Sequence, residues 1–168
     1  GFMDDDGRNR GKTLPIKVCV RIKGDSAEID LTGSSPQVPT AFNVPFDGST
    51  KVAAFFVFRA LLLDTYTSTD DIPANEGSFR PISVIAPKGS IFNPIAPAAS
   101  EARFCQIQRM ADLVIKALAP VLPDRCTAGN AATQVTRTVR VVAGTAPVIT
   151  RLGNDPETVE VNTPYIDA

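Results

Sequence analysis

Residues 15–32, PIKVCVRIKGDSAEIDLT, carry the clearest periodicity in the chain. Ile16, Val18, Val20 and Ile22 fall on one face of an extended segment and Lys17, Cys19, Arg21 and Lys23 on the other, because strand side chains alternate. Ala27, Ile29 and Leu31 then alternate with Glu28, Asp30 and Thr32. Between the two runs, Gly24-Asp25 puts glycine at the first central position, as a type II′ turn requires. The stretch predicts an antiparallel hairpin with one face on a core and one in water.

Outward from the hairpin, loops and helices alternate. Gly33 to Gly48 (GSSPQVPTAFNVPFDG) is rich in turn formers without a sustained period. A long loop of this kind inside a compact domain is more often functional than accidental. Ser49 or Thr50 is placed to cap a helix running to Asp64 (TKVAAFFVFRALLLD). Its apolar residues cover nearly the whole circumference, which predicts a helix buried on all sides with Phe55, Phe56 and Phe58 as core anchors. Thr65 to Phe79 reads as a loop, and Ile82-Ser83-Val84-Ile85 as a short strand stopped at Pro87-Lys88-Gly89. Ser100 is placed to cap a second helix, with Glu101 in its first turn. Phe104, Ile107, Ala111, Val114 and Leu118 give it one apolar stripe, and Pro120 ends it. Strand-like text returns around Val135 to Val141, Val148 to Leu152 and Thr158 to Val161. The expected fold class is α+β: a hairpin and short strands packed on two core helices, with a β-rich C-terminal part. Residues 1–129 form the motif-bearing segment and 130–168 a β-rich extension of the same domain.

Composition narrows the chemistry. The chain has 168 residues, about one domain, with 43% hydrophobic and 21% charged residues. Seventeen Lys and Arg against eighteen Asp and Glu leave a charge of −1, so neither nucleic acid nor a membrane surface is an expected partner. Histidine is absent. This chain alone therefore has no Ser-His-Asp or Cys-His pair and no His-rich metal site. Cys19, Cys105 and Cys126 are far apart and are expected to be buried, reduced thiols. The longest apolar run, Val52 to Leu63, is interrupted by Arg59 and falls short of the ~18–20 residues that span a bilayer. A cytoplasmic location is expected. Gly1-Phe2-Met3 is not a natural initiation site, which leads to the expectation of a fragment, a processed subunit or an engineered piece.

Few residues carry chemistry on their own. Asp4-Asp5-Asp6, and Asp70-Asp71 with Glu76, offer carboxylates to a hard cation but lack a metal-loop spacing, so solvated acidic turns are expected. Gly33-Ser34-Ser35 offers backbone N–H groups after a strand, an anion nest without the lysine or length of a P-loop. Lys88 reads as a solvent-facing turn tip. Asn43, Asn75 and Asn93 lie in separate loops, where asparagine usually satisfies local backbone groups; the alternative is convergence on a polar ligand.

The order and wording of the blocks go further. IDLTGSSPQ (Ile29 to Gln37), FNVP (Phe42 to Pro45), FRALLLD, DIPANEGSFRPISVIAPKGSIFNPIAPAA (Asp71 to Ala99) and ALAPVLPDRCTAG (Ala117 to Gly129) follow one another in a succession that resembles the hydantoinase B/oxoprolinase family. The resemblance runs from about Asp5 to Gly129 and is strongest from Asn75 to Pro97. It implies part of an ATP-dependent amidohydrolase that opens cyclic amides of hydantoin or 5-oxoproline type. The alternatives are a structural or assembly segment of such a complex, or part of a related ATP-dependent ketone carboxylase. It further implies that this chain binds no cofactor alone, with ATP on a hydantoinase A-type partner and a divalent metal elsewhere in the B-type polypeptide. The expected assembly is a hetero-oligomer, and the isolated chain is expected to be inactive. Asp30, Gly33, Ser34, Asn43, Asn75, Gly77, Arg80 and Asn93 fall in the family blocks and are the candidate substrate-binding or interface residues. Arg80, their one cation, is suited to a carboxylate or a phosphorylated intermediate, or else to tying down its own loop.

Overall fold

The computed structural model describes residues 1–62, 73, 75–126 and three strands at 139–140, 148–150 and 158–160. It divides into a unit from Gly1 to Ala132 and another from Thr133 to Ala168. The predicted hairpin is present, as β3 (Cys19–Lys23) and β4 (Ser26–Asp30), after a small ribbon formed by β1 (Phe2–Met3) and β2 (Leu14–Pro15). Cys19 lies opposite Asp30 and Lys23 opposite Ser26, and Gly24 between the strands has φ +59°. That left-handed conformation is the one the turn asks of its first central residue.

Strand β5 (Ile82–Ile85) pairs with β4 in parallel, with Ala27 opposite Ile82 and Asp30 opposite Ile85. The sheet is therefore mixed, in the order β3-β4-β5. A parallel pair needs a long crossover, and the connection includes α1 (Lys51–Leu62) and the short α2 (Glu76–Phe79). The second long helix, α3 (Arg103–Leu118), packs against α1 and β3, while α1 reaches β5. Both helices thus back the sheet face that carries Ala27 and Ile29. Ile29, Leu31, Val44, Ile91, Phe92, Met110 and Val114 are completely buried at the centre of this core. Each large side chain removed from water there contributes on the order of 1.5–3 kcal/mol.

Several expectations are corrected. α1 starts at Lys51, behind a π-type turn at Phe46–Thr50, and the Thr50 hydroxyl donates to the Phe92 carbonyl at 2.9 Å instead of capping the helix. Only one side of α1 is covered. Ala53, Ala54, Val57, Phe58 and Leu61 are buried, Phe55 stacks on Phe79 with centroids 4.7 Å apart, and Phe56 is 67% exposed. Phe56 is therefore no core anchor. In α3 the buried line is Ala102, Gln106, Met110, Val114 and Leu118, one step every four residues, so Phe104 lies outside the core. Ser100 turns its hydroxyl to the Ala98 carbonyl, and Ala102 occupies the N-cap. Part of the 65–79 loop is the helix α2. Cys19 is exposed, Cys105 buried and Cys126 half-buried, and no disulfide links them.

In the C-terminal unit, β6 (Val139–Arg140), β7 (Val148–Thr150) and β8 (Thr158–Glu160) form an antiparallel meander. This agrees with the strand text read from that region. The mixture of helices and small sheets is the α+β class.

Candidate functional site

The eight candidate residues divide between the two ends of the parallel pair β4–β5. At the end where Asp30 and Ile85 leave the sheet, two loops are laced together. The Gln37 amide donates to the Gly89 carbonyl at 2.9 Å, Ile91 to Ser35 at 2.9 Å, and Val44 to Ile91 at 2.8 Å. Asn43 is completely buried and holds the lacing from inside. Its Oδ1 accepts from the Val38 amide at 2.8 Å, and its Nδ2 donates to the carbonyls of Val38, Thr40 and Ala99 at 2.8, 3.1 and 3.0 Å. Asn93 donates to the Ala86 carbonyl at 2.9 Å, closing the facing turn. The Ser34 hydroxyl accepts from the Lys17 amide and donates to the Lys17 carbonyl, which fastens the loop to the chain entering the hairpin. Gly33 has φ +91°, and a Cβ there would stand 3.1 Å from Lys17 Cδ. Asp30 accepts the Thr32 amide at 2.9 Å and pairs with Arg21 at 3.3 Å. Hydrogen bonds from Thr32, aided by the Arg21 charge, hold its carboxyl below the usual carboxylate range. The side chains of Asp30, Ser34, Asn43 and Asn93, with Gly33 as the turn, meet their partners within the fold.

The other candidates sit at the opposite end, where β4 and β5 begin. Asn75 is the N-cap of α2. Its Oδ1 accepts the Ser78 amide at 3.3 Å, and the Asn75 amide donates back to Ser78 Oγ, a reciprocal cap. Gly77 sits under that cap, where a Cβ would meet Asn75 Oδ1 at 3.1 Å. Arg80 follows as the C-cap, exposed, with no acidic partner among the described residues. It lines an open cleft of about 310 Å³ with Arg21, Lys23, Ser26, Glu28 and Ser83. The structure thus brings Arg80 together with two basic residues outside the candidate set. Arg21 and Lys23 were visible in the sequence as the wet face of the hairpin. Only the parallel register of β5, fifty residues on, puts that face beside Arg80.

No metal centre is assembled in the described part. Among the described residues, no group of three or more His, Cys, Asp or Glu side chains is placed to hold an ion. The acidic N-terminal turn is organised by its own backbone. Asp5 accepts from the amides of Gly7 and Gly11, and Asp6 from those of Arg8 and Asn9 and from the Asn9 side chain. Asp4 is exposed and Asp5 half-buried, as a solvated turn asks, while Asp6 is only 3% exposed and departs from that expectation. Its hydrogen bonds, led by the Asn9 amide, push its pKa down. Asp70 and Asp71 lie outside the described residues. No helix of the described part is long and apolar enough to cross a membrane.

With the geometry in place, comparison with known proteins supplies the class. The profile of the hydantoinase B/oxoprolinase family matches residues 1–157, past the Gly129 at which the recognisable wording ends. The chain belongs to that family. It is 41% identical over 136 residues to a protein of Pseudomonas sp. (strain NS671) named as the putative B-type subunit of a D-/L-hydantoinase, covering 80% of this chain and 23% of that protein. It is 31% identical over 122 residues to an uncharacterised protein of Methanocaldococcus jannaschii, covering 72% of this chain and 20% of that one. Over 116 residues it is 28% identical to the 5-oxoprolinase of Saccharomyces cerevisiae, covering 68% of this chain and 8% of the yeast protein. The chain thus spans less than a quarter of the length of these relatives. No solved structure gives a significant match.

Proposed function

We propose that this chain is one part of an ATP-dependent amidohydrolase that opens cyclic amides of the hydantoin or 5-oxoproline type. The observation that carries the proposal is the family match together with the 41% identity to a protein named as a hydantoinase B-type subunit. In this reading ATP is bound by a hydantoinase A-type partner, the divalent metal by another part of the B-type polypeptide, and the working enzyme is a cytoplasmic hetero-oligomer. This chain contributes a scaffold and one cationic edge. The candidate side chains Asp30, Asn43, Asn75 and Asn93 are engaged within the fold, which leaves Arg80 as the family-block side chain best placed to meet something outside it. A guanidinium there suits the carboxylate released by ring opening, or the phosphorylated oxygen of an activated amide.

A second reading, a structural or assembly segment, is favoured by the bare side of α1, where Val52, Phe56 and Leu62 are 55%, 67% and 64% exposed. Exposed apolar side chains grouped on one helix are a common mark of a contact surface. The two readings separate in the full-length parent enzyme with its ATP-binding partner. Arg80→Ala and Asn75→Ala should lower ATP-dependent ring opening while the complex still forms on a sizing column. Turnover lost only in step with loss of the complex would favour the assembly reading, and full turnover in both variants with the complex intact would sink the catalytic-edge one.

A further inference from the structure

We propose that the cleft at the start of β4 and β5 is a binding site for a small oxyanion, a phosphate or carboxylate group, held between Lys23 and Arg80. The site is built by register. Arg21 lies opposite Glu28 in the antiparallel pair, and Glu28 lies opposite Ser83 in the parallel one, so these three form a row across the solvent face of the sheet. The next row outward pairs Lys23 with Ser26, and the Pro81 carbonyl accepts the Ala27 amide, which fixes the chain just after Arg80 at the same edge.

Charge is distributed unevenly over these rows. Arg21 is neutralised by Glu28 at 2.6 Å and by Asp30 at 3.3 Å. Lys23 and Arg80 have no acidic partner among the described residues. Two uncompensated cations therefore face one concavity of about 310 Å³, at the small end of the range for ligand pockets. Glu28 forms the inner wall and repels an anion from that side, so a ligand is confined to the outer row. The guanidinium presents two parallel N–H groups to such a ligand, and the ammonium acts as a point charge beside it. Ser26 and Ser83 line the same cleft, but their hydroxyl protons are given to Asp25 at 3.0 Å and to the Ala27 carbonyl at 3.4 Å, so Lys23 and Arg80 alone supply the donors to the anion. The site shares Arg80 with the proposed reaction and rests on that reading for its natural ligand, but anion binding is measured without ATP or a second polypeptide, so its failure is told apart from a failure of ring opening.

The test is a titration of the 168-residue chain with sodium phosphate and, separately, sodium acetate, followed by amide NMR at low ionic strength, where screening is weakest. Saturable shifts confined to the amides of Ser26, Ala27 and Ser83 are expected with at least one of the two salts, and the salt that produces them identifies the preferred group. Arg80→Gln and Lys23→Gln should each weaken that binding by about tenfold, the scale of one lost charge-assisted contact. Lys88→Gln, an exposed turn residue outside the cleft, should leave it unchanged. The proposal is overturned if neither salt shifts those amides, or if all three variants bind alike.

Discussion

The two ends of the β4–β5 pair both draw on the family blocks and are built in opposite ways. At one end, loops 33–48 and 86–99 are laced by backbone hydrogen bonds around the completely buried Asn43, with the Thr40 and Ser90 hydroxyls buried and unpartnered among the described residues. At the other, Lys23 and Arg80 stand at an open edge with their charges uncompensated among the described residues. A run of Gly, Pro, Asn and Ser thus marks a scaffold in one place and the approach to a cleft in another. What separates them is where the family-block side chains end: Asn43 and Asn93 on backbone groups of the fold, Arg80 at an open edge.

The contrast can be broken most severely at Asn43. Asn43→Ala removes one acceptor and three donor contacts from a dry interior, and should cost on the order of 3–5 kcal/mol in urea or thermal unfolding, since each stranded buried group costs about 1–3 kcal/mol. At Gly33, with φ +91° and Lys17 close by, Gly33→Ala should cost about 1–2 kcal/mol in the same measurement. Gln106 tests the interior from the other direction. Its side chain is completely buried on α3, and neither its Oε1 nor its Nε2 has a partner among the described residues. Gln106→Met keeps the volume and removes the stranded groups, so it should raise stability by about 1 kcal/mol. At the open end, Arg80→Ala should change stability by less than about 0.5 kcal/mol, because an exposed cation without a partner holds nothing in place.

Acid sharpens the same comparison. The carboxyls of Asp6 and Asp30 titrate lower in the folded chain than in the unfolded one, so their stabilisation is fully present above the unfolded value of about 3.9. It is lost as pH falls through the folded values. Unfolding free energy measured from neutral pH downward should therefore begin to drop near the unfolded carboxylate range, and the drop should be shallower in Asp6→Asn.

Much of the frame was legible in residue order. The hairpin followed from period-two alternation broken by Gly24, and β5 from Ile82, Val84 and Ile85 in a short run between Pro81 and Pro87. Pairing was not legible, because nothing local in Ile82–Ile85 states that its neighbour is β4 or that the two run parallel. α1 misled because a helix apolar on all sides reads as fully enclosed, while only the side carrying Ala54 and Val57 is covered. In α3 the buried position held by Gln106 turned the apparent stripe toward Phe104, since a glutamine is not expected in a core. Of the candidate site, the blocks pointed to Arg80 but not to Lys23 or Arg21, whose contribution depends on a register that joins distant strands. Asn43 drew notice as a polar loop residue, and burial gives it a structural role.

The division between a closed and an open end is tested most directly by amide hydrogen exchange on the 168-residue chain. Gln37, Val44 and Ile91, whose N–H groups carry the lacing, should exchange only through global opening, at rates as slow as Ile29 in the central strand. Exchange of those three amides at the rate of an exposed loop, with Ile29 still protected, would contradict the account: the 33–48 segment would then be a mobile loop and not a scaffold.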